Sequence, residues 1–389
     1  MAIGDILELR VERLAAGGSG VARADGKAVF TDFAAPQDLI RARVVEEREN
    51  FARAEIVKIM EGSSLRVQPL CPYFGTCGGC AWQHLEYGAQ TEAKTAMLAD
   101  AFQRIGGFAI TPPIRTISSP PYGYRNRIQF HRVAKRRADI SPVGFKRRGE
   151  DTVLPIDDCP IAASRIRTAL AARELVPPVQ VDRFNVYAHG DLLLAEGATE
   201  RGIVEIRGKK LRIDVRGFFQ SNATALEYLL DELMSAARSA DPELRAADLY
   251  CGVGTFAAFL SDIFPRIDLV ERDKTALALA CENVRGHGIR HFAISDDEWA
   301  RMGSKGEQEG YGFAVVDPPR AGLSTGLRNR LARMKVGTLG YVSCDPATLA
   351  RDAKELAAAG YELRSLTCYD FYPQTPHIEA FAVFGSPRP

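Results

Sequence analysis

A cysteine and a glutamate near the carboxyl terminus are the residues of this sequence best suited to covalent chemistry. Cys344 ends a predicted strand in YVSCDPATLARD. A cysteine in a strand is usually a small buried hydrophobe, but one at the ligand edge of an α/β sheet can act as a nucleophile. Further on, FYPQTPHIEAFAVF brings His377 and Glu379 to the mouth of another apolar strand, where the pKa of an ionisable group can be tuned for proton transfer. The spacing alone does not show that these residues meet.

A glycine-containing turn upstream has the features of a small-ligand site. In ADLYCGVGTFAAFL, Gly252 and Gly254 allow the chain to turn tightly between a predicted strand and a predicted helix. The next strand ends in Glu271, where an acid can accept hydrogen bonds from ribose hydroxyls. A later apolar strand ends in Asp317, within FAVVDPPRAG. The third glycine of a dinucleotide fingerprint is missing, so the pattern fits a methyltransferase better than a nicotinamide enzyme.

Four cysteines form a candidate metal site. Cys71, Cys77 and Cys80 lie within CPYFGTCGGC, and Cys159 follows in DDCPIA beside a proline. Three cysteines within ten residues, with glycines between them, suit a thiolate-held metal better than a disulfide framework. The spacing leaves zinc and [4Fe–4S] open, because both accept four thiolates.

Three regions are predicted to position these residues. Residues 1–62 alternate in polarity between turn signals and predict a five-stranded OB-like barrel, either a nucleic-acid module or a packing unit. Residues 63–216 predict a β-rich region that carries the cysteines and a helix from about Gln90 to Arg104. From 217 to 389, helices and strands alternate, which indicates an α/β domain with a mostly parallel, doubly wound sheet.

Composition and charge narrow the class of protein. With 46% hydrophobic and 25% charged residues, the 389-residue chain is typical of a soluble globular protein. It shows neither a membrane-spanning run nor a secretory signal, so we expect it in the cytoplasm, with no membrane partner. The net charge is only +1, but residues 125–148 contain nine Lys or Arg and one acid, Asp139. That stretch is either a solvated loop or a phosphate-binding surface for nucleic acid.

Taken together, the motifs resemble those of the RNA uracil-5-methyltransferases, in particular the iron–sulfur branch that acts on 23S ribosomal RNA and carries a TRAM barrel. The resemblance covers nearly the whole chain. It rests on the upstream cysteine motif followed, in order, by FFQSN, DLYCGVGTF, DPPRAG, SCDPATLARD and FYPQTPHIE.

The resemblance implies a role for each candidate residue. Cys344 would attack carbon-6 of uracil, and Glu379 would remove the carbon-5 proton before elimination. The four cysteines would hold a [4Fe–4S] cluster, and residues 91–117 could belong to the catalytic domain instead of the central one. The residues implied in binding S-adenosylmethionine are Gln220, Tyr250, Thr255, Glu271, Asp317 and Asp296, with the adjacent Asp297 as the alternative to Asp296.

The expected activity is methylation of carbon-5 of a uridine in 23S ribosomal RNA, by a monomer. A transfer RNA substrate is the first alternative, and a non-catalytic RNA-binding protein that kept the fold is the second. A cytosine-5 enzyme is disfavoured, because the chain has DPPR where an RNA cytosine enzyme places a second cysteine. The short stretch between Asp297 and Tyr311 suggests a trimmed loop.

Overall fold

The amino-terminal region forms a curled sheet of six short strands. The computed structural model describes residues 1–107, 110, 113–133, 142–179, 181–302, 310–334 and 336–386. The sheet order is β1-β5-β6-β4-β3-β2, and alternate side chains of the long strands are buried inside it. Five strands were predicted; the sixth is a two-residue strand that pairs with β3. The strands are β1 (Ile6–Arg10), β2 (Arg13–Leu14), β3 (Gly20–Ala24), β4 (Lys27–Thr31), β5 (Leu39–Glu47) and β6 (Phe51–Glu61).

A helix and a short strand follow residues 71–82, the irregular segment that contains Cys71, Cys77 and Cys80 and is called the cysteine loop below. Helix α1 (Tyr87–Ala101) continues into a π-helical turn, Phe102–Gly106, so the predicted helix begins three residues earlier in the structure. Leu98 and Phe102 pack in the core on one face of the carboxyl-terminal sheet. Strand β7 (Arg115–Ile117) is the last strand of that same sheet.

The central region is built on a five-stranded sheet with the order β10-β9-β8-β11-β12. A separate hairpin, β13–β14, follows, and its buried side chains, including Val204 and Leu211, join the core of the carboxyl-terminal domain. The elements are β8 (Arg127–Arg132), β9 (Val143–Lys146), β10 (Val153–Pro155), α2 (Ser164–Ala171), β11 (Arg183–His189), β12 (Leu192–Ala195), β13 (Arg201–Ile206) and β14 (Lys209–Asp214).

The carboxyl-terminal domain is a doubly wound α/β unit, which confirms the predicted fold class. Its eight-stranded sheet has the order β17-β16-β15-β18-β19-β21-β20-β7, and β21 runs antiparallel to both neighbours. The elements are α3 (Ala223–Ala237), β15 (Arg245–Leu249), α4 (Thr255–Leu260), β16 (Arg266–Val270), α5 (Lys274–Asn283), β17 (Gly288–Phe292), α6 (Asp296–Arg301), β18 (Tyr311–Val316), α7 (Thr325–Met334), β19 (Thr338–Ser343), α8 (Pro346–Ala358), β20 (Glu362–Tyr369) and β21 (Glu379–Gly385).

Two apolar cores lie on opposite faces of this sheet. Adjacent residues of β15, Ala246 and Ala247, belong to different cores, as do Val315 and Val316 of β18. Such strands are buried on both faces, which explains their continuous apolar sequence. The loops that follow the parallel strands therefore all open at one edge, where ligands bind in folds of this kind. Among the helices in the described ranges, none is long and apolar enough to cross a membrane.

Candidate functional site

Cys344 lies in the turn between β19 and α8, at the carboxyl edge of the sheet. The strand ends there because Asp345 caps the helix: its side chain accepts hydrogen bonds from the backbone N–H groups of Ala347 and Thr348 at 3.0 and 2.9 Å. Pro346 occupies the first helical turn, where no backbone donor is required. This local sequence leaves Cys344 half-buried at the mouth of the sheet.

Glu379 stands across from Cys344. Strands β19 and β21 are antiparallel and their pairing ends at Ser343 and Ala380, so Cys344, which follows β19, lies close to Glu379, which begins β21. The glutamate is buried, and burial together with the charge of Asp317 raises its pKa well above the usual range. Burial, followed by the charges of Glu379 and Asp317, raises the pKa of Cys344 to about 11. The structure therefore brings a thiol and two carboxyl groups together.

Asp317 occupies the end of the neighbouring strand. It follows the last residue of β18, and burial raises the pKa of its carboxyl to about 7. The side-chain amide of Gln220 donates a hydrogen bond to its Oδ2 at 3.4 Å. A buried carboxylate beside an amide can accept a hydrogen bond or stabilise a cation, which suits the positively charged sulfonium of S-adenosylmethionine.

The glycine turn holds an acid in place beside it. Tyr250, which is not a glycine, has a left-handed backbone with φ of 66°, and Gly252 and Gly254 also have positive φ values. The backbone N–H of Gly252 donates to Glu271 Oε2 at 3.1 Å. Glu271 is thus fixed at the tip of β16, and its contact with a ribose stays a prediction.

Four of the six implied cofactor residues line one cleft. Glu271 and Asp296 do not line it, but Glu271 contacts its glycine loop, and Asp296 lies near Tyr250, whose pKa is raised by burial first and then by Asp296. Asp297 is exposed. The cleft residues are Phe218, Phe219, Gln220, Tyr250, Cys251, Gly252, Val253, Thr255, Phe256 and Asp317.

Sequence reasoning missed Asp248, which bonds the start of helix α4 directly after the glycine turn. It is fully buried in β15 and accepts a hydrogen bond from the backbone N–H of Ala257 at 2.9 Å. Burial raises its pKa to about 8. An acid within the otherwise apolar AADLY strand was the available signal, since a carboxyl group in such a position needs a buried partner.

Two buried polar residues of α1, Gln90 and Lys94, were also missed. They contact the loop between β20 and β21 that leads to Glu379. A sequence gives no local sign of such contacts, because a lysine in a helix is normally a solvent-exposed residue.

The four predicted cysteines surround one cavity of about 640 Å³. Burial is the main cause that raises the pKa of Cys80 to about 11 and of Cys159 to about 12, and neighbouring thiols raise both further. Within the described ranges, no three His, Cys, Asp or Glu side chains are placed to hold a metal ion. The thiols thus share a cavity but are not gathered around a single ion, and the metal prediction stays a prediction.

Basic side chains from the predicted cationic stretch line the same cavity. They are Arg125, Lys146, Arg147 and Arg148. Residues 134–141, which include three of the nine cations, lie outside the described ranges, and so do residues 303–309 of the stretch predicted to be a trimmed loop. His377, predicted near Glu379, is exposed. The distance from its Nδ1 to Nη2 of Arg320 is 3.4 Å.

Two family descriptions match this chain. Residues 199–385 match the tRNA (Uracil-5-)-methyltransferase family, and residues 2–57 match the TRAM domain. The first range spans the hairpin β13–β14 and nearly all of the α/β domain. The second covers most of the six-stranded amino-terminal sheet.

Relatives match along nearly their whole length. An uncharacterised RNA methyltransferase of Aquifex aeolicus is 31% identical, over 97% of this chain and 98% of its own. The 23S rRNA (uracil(1939)-C(5))-methyltransferase RlmD of Acidithiobacillus ferrooxidans is also 31% identical, over 96% of both chains. Among solved structures, the Pyrococcus abyssi tRNA (uracil-54, C5)-methyltransferase in complex with S-adenosyl-L-homocysteine is similar with a TM-score of 0.73. It is 24% identical, covers 97% of this chain and 100% of its own, and shows the shared fold.

Proposed function

Because the chain belongs to the RNA uracil-5-methyltransferase family, we propose that it methylates carbon-5 of a uridine in 23S ribosomal RNA through a covalent adduct on Cys344. The observation that carries this proposal is the meeting of Cys344, Glu379 and Asp317 at the carboxyl edge of the sheet. A nucleophile, a base and a carboxylate suited to a cationic donor are the groups that the reaction needs.

The first step is attack of the Cys344 thiolate on carbon-6 of uracil. A bond forms between sulfur and carbon-6, and the electron pair of the 5,6 double bond moves to the enolate at carbon-5 and oxygen-4. Because the pKa of Cys344 is raised to about 11, the thiol must pass its proton to water as the site fills. A bound cation beside Asp317 favours this ionisation, since it offsets the negative charge of the carboxyl groups.

The second step is methyl transfer to carbon-5. When bound, S-adenosylmethionine supplies an electrophilic methyl group on a positively charged sulfur. We infer that Gln220, Tyr250, Thr255 and Asp317 hold it in the cleft, with Glu271 at the ribose and Asp296 on the adenine side. The protein contributes chiefly position and the exclusion of water, which are large terms in such a transfer.

The last step releases the methylated uridine and leaves Glu379 protonated and Cys344 as a thiolate. Carbon-5 now carries both a methyl group and a proton, and the Glu379 carboxylate removes the proton. The electron pair of that C–H bond restores the 5,6 double bond, and the bond between sulfur and carbon-6 breaks. Glu379 is buried opposite Cys344, so it lies close to the ring that the cysteine holds.

The choice of RNA rests on the relatives. One is named as a 23S ribosomal RNA enzyme over 96% of both chains, whereas the solved structure of similar fold is a transfer RNA enzyme at 24% identity. Higher identity over a similar share of the chain favours the ribosomal substrate. The basic side chains around the cysteine cavity supply positive surface for an RNA backbone.

Nucleoside mass spectrometry tests the reaction and the substrate together. Purified protein and S-adenosylmethionine are incubated with unmodified 23S ribosomal RNA and, separately, with transfer RNA transcripts, with the Cys344→Ala variant as the control. We expect 5-methyluridine only in the ribosomal RNA and only with the wild-type chain. If 5-methyluridine appears only in transfer RNA, the proposed ribosomal substrate is wrong. If Cys344→Ala produces as much 5-methyluridine as the wild type, the proposed adduct on Cys344 is wrong.

For the cysteine cavity we propose a [4Fe–4S] cluster held by Cys71, Cys77, Cys80 and Cys159. Four thiols around one cavity match the ligand set of such a cluster, and the resemblance to the iron–sulfur branch of the family favours a cluster over a zinc ion. Iron and acid-labile sulfide analysis of anaerobically purified protein should give about four of each per chain. One equivalent of zinc without sulfide would exclude the cluster.

A further inference from the structure

The loop that carries Glu379 into the site is buried and irregular. It connects the end of β20 to Glu379, the first residue of β21, and its members Phe371, Gln374 and Thr375 are almost fully buried. Gln374 has a left-handed backbone with φ of 67°, which is strained for a residue other than glycine. A loop of this kind keeps its shape only if other parts of the molecule satisfy its backbone.

Helix α1 supplies two of those contacts from one face. Lys94 Nζ lies 2.6 Å from Asp370 Oδ1 and donates a hydrogen bond to the backbone oxygen of Tyr372 at 3.0 Å. One turn earlier, Gln90 accepts from the backbone N–H of Gln374 at 2.9 Å and donates to its side-chain oxygen at 3.0 Å. Residues four apart lie on the same helix face, so the two side chains reach neighbouring points of the loop.

The cysteine loop supplies the other side of this support. The backbone N–H groups of Ala81 and Trp82 both donate to the carbonyl oxygen of Gln374 at 3.0 Å. The indole of Trp82 donates to Gly18 in the amino-terminal barrel at 2.9 Å. Gln90 also donates to the backbone oxygen of Trp82 at 3.1 Å. The helix and the cysteine loop are therefore bonded to each other as well as to Gln374.

These contacts reach the reacting groups through Tyr372. Its backbone oxygen receives the Lys94 hydrogen bond, while its phenol hydroxyl lies within range of the charges of Glu379 and Cys344. Burial, followed by the charge of Glu379 and, less strongly, that of Cys344, raises the pKa of Tyr372 to about 12. A shift of the loop would therefore move both the tyrosine ring and the approach of Glu379 to the substrate.

We propose that Gln90 and Lys94 are positioning residues that hold Glu379 in place for removal of the carbon-5 proton, a role that rests on the proposed function. Both side chains are fully buried. A buried ion pair is an expensive way to gain stability, because apolar residues of similar volume often do as well. Here the Lys94 ammonium and the Gln90 amide instead fix two parts of the loop that leads to Glu379.

The proposal is tested with Lys94→Met and Gln90→Met, which keep side-chain length but remove the hydrogen bonds. Arg245→Met is the matched control: Arg245 also bonds a buried carboxylate, Asp268, and a backbone oxygen, that of Gly288, but at the amino end of β15. Glu379→Gln serves as the reference, because loss of the base should trap the methylated RNA on Cys344. Turnover, the fraction of RNA bound covalently to protein, S-adenosylmethionine affinity and thermal melting are measured for each protein.

We expect Lys94→Met and Gln90→Met to lower kcat by about 10-fold to 100-fold, a loss typical of a misplaced catalytic group. Both should accumulate the methylated covalent adduct, as Glu379→Gln does, and bind S-adenosylmethionine normally. Arg245→Met should lose stability without accumulating the adduct. If Lys94→Met does not fold because Asp370 is left unpaired, the double variant Lys94→Met with Asp370→Leu takes its place.

The outcomes separate this inference from the mechanism on which it rests. An adduct in Glu379→Gln but not in the α1 variants overturns the positioning role and leaves the reaction intact. A fall in turnover that merely follows the loss of melting temperature, as in Arg245→Met, also overturns it. If Glu379→Gln itself traps no methylated adduct, the proposed elimination step is wrong, and the positioning role is wrong with it.

Discussion

Cys344 directly follows β19 and Glu379 begins β21, the antiparallel neighbour of β19, and the charge of the glutamate contributes to raising the pKa of the thiol. Their proximity follows from the sheet order, in which β21 inserts between β19 and β20. Because β21 is antiparallel to β19, the first residue of β21 lies beside the carboxyl end of β19. One edge of the sheet thus carries a nucleophile and a group that can take a proton.

Replacement of Cys344 should separate chemistry from cofactor binding. We expect Cys344→Ala to lower methylation by about 10⁴-fold or more, because a nucleophile has no substitute in a covalent route. The cofactor cleft does not include this residue, so S-adenosylmethionine affinity should stay within about twofold of wild type. Methyl incorporation and calorimetric titration measure the two effects. Residual methylation near the wild-type rate would show that no adduct on Cys344 is needed.

The affinity for S-adenosylmethionine should depend on pH through Asp317. Burial raises the pKa of this carboxyl to about 7, so it is neutral below that pH and negative above it. Because the negative form attracts the cationic donor, we expect the dissociation constant to be about tenfold larger near pH 6 than near pH 8. Titrations across this range, with Asp317→Asn as the uncharged control, measure the effect. The control should bind weakly and with little pH dependence, and an unchanged pH profile in it would assign the titration to another group.

Much of this site follows from the sequence because parallel strands end at a common edge. Asp317 and Cys344 each follow a buried apolar strand, and Glu271 follows another. A run of apolar residues that ends in a polar one is visible without a structure. The turn of Gly252 and Gly254 is equally local. Those residues could therefore be named in advance, although their distances from one another could not.

The parts that were missed depend on contacts that the local sequence pattern does not show. Lys94 and Asp370 belong to different regions of the chain, and neither has a neighbour in sequence that marks it as buried. The acid within the apolar AADLY strand marks Asp248 as unusual, but its partner, the backbone N–H of Ala257, has no sequence signature. The sixth strand of the barrel is two residues long, too short to show an alternating pattern. In each case the tertiary structure supplies the partner that defines the residue.

Asp296 and Asp297 should differ in their effect on cofactor binding. Asp296 lies near Tyr250, a cleft residue, whereas Asp297 is exposed and has less influence on the tyrosine. We expect Asp296→Asn to weaken S-adenosylmethionine binding by about tenfold, the usual size of one lost charged hydrogen bond. Asp297→Asn, the matched control one residue away, should bind normally. The opposite ranking in calorimetric titrations would move the adenine-side role to Asp297.

Two glycines of the cofactor turn should respond differently to a single added methyl group. Gly252 and Gly254 have φ values of 54° and 78°, so alanine at either position costs about 1–2 kcal/mol of backbone strain. A Cβ atom at Gly252 meets no other atom within 4 Å, but one at Gly254 lies 3.0 Å from side-chain atoms of Ala280 and Val284.

Gly254→Ala should therefore lose more stability than Gly252→Ala, by about 1–3 kcal/mol for the overpacking of α5. Denaturant unfolding monitored by circular dichroism measures the difference, with Gly252→Ala as the strain-only control. Because α4 starts directly after Gly254, the displaced turn should also weaken S-adenosylmethionine binding in that variant. Equal losses of stability in the two variants would mean that α5 moves aside freely, and that the close approach of the turn to Ala280 does not hold the cofactor loop in shape.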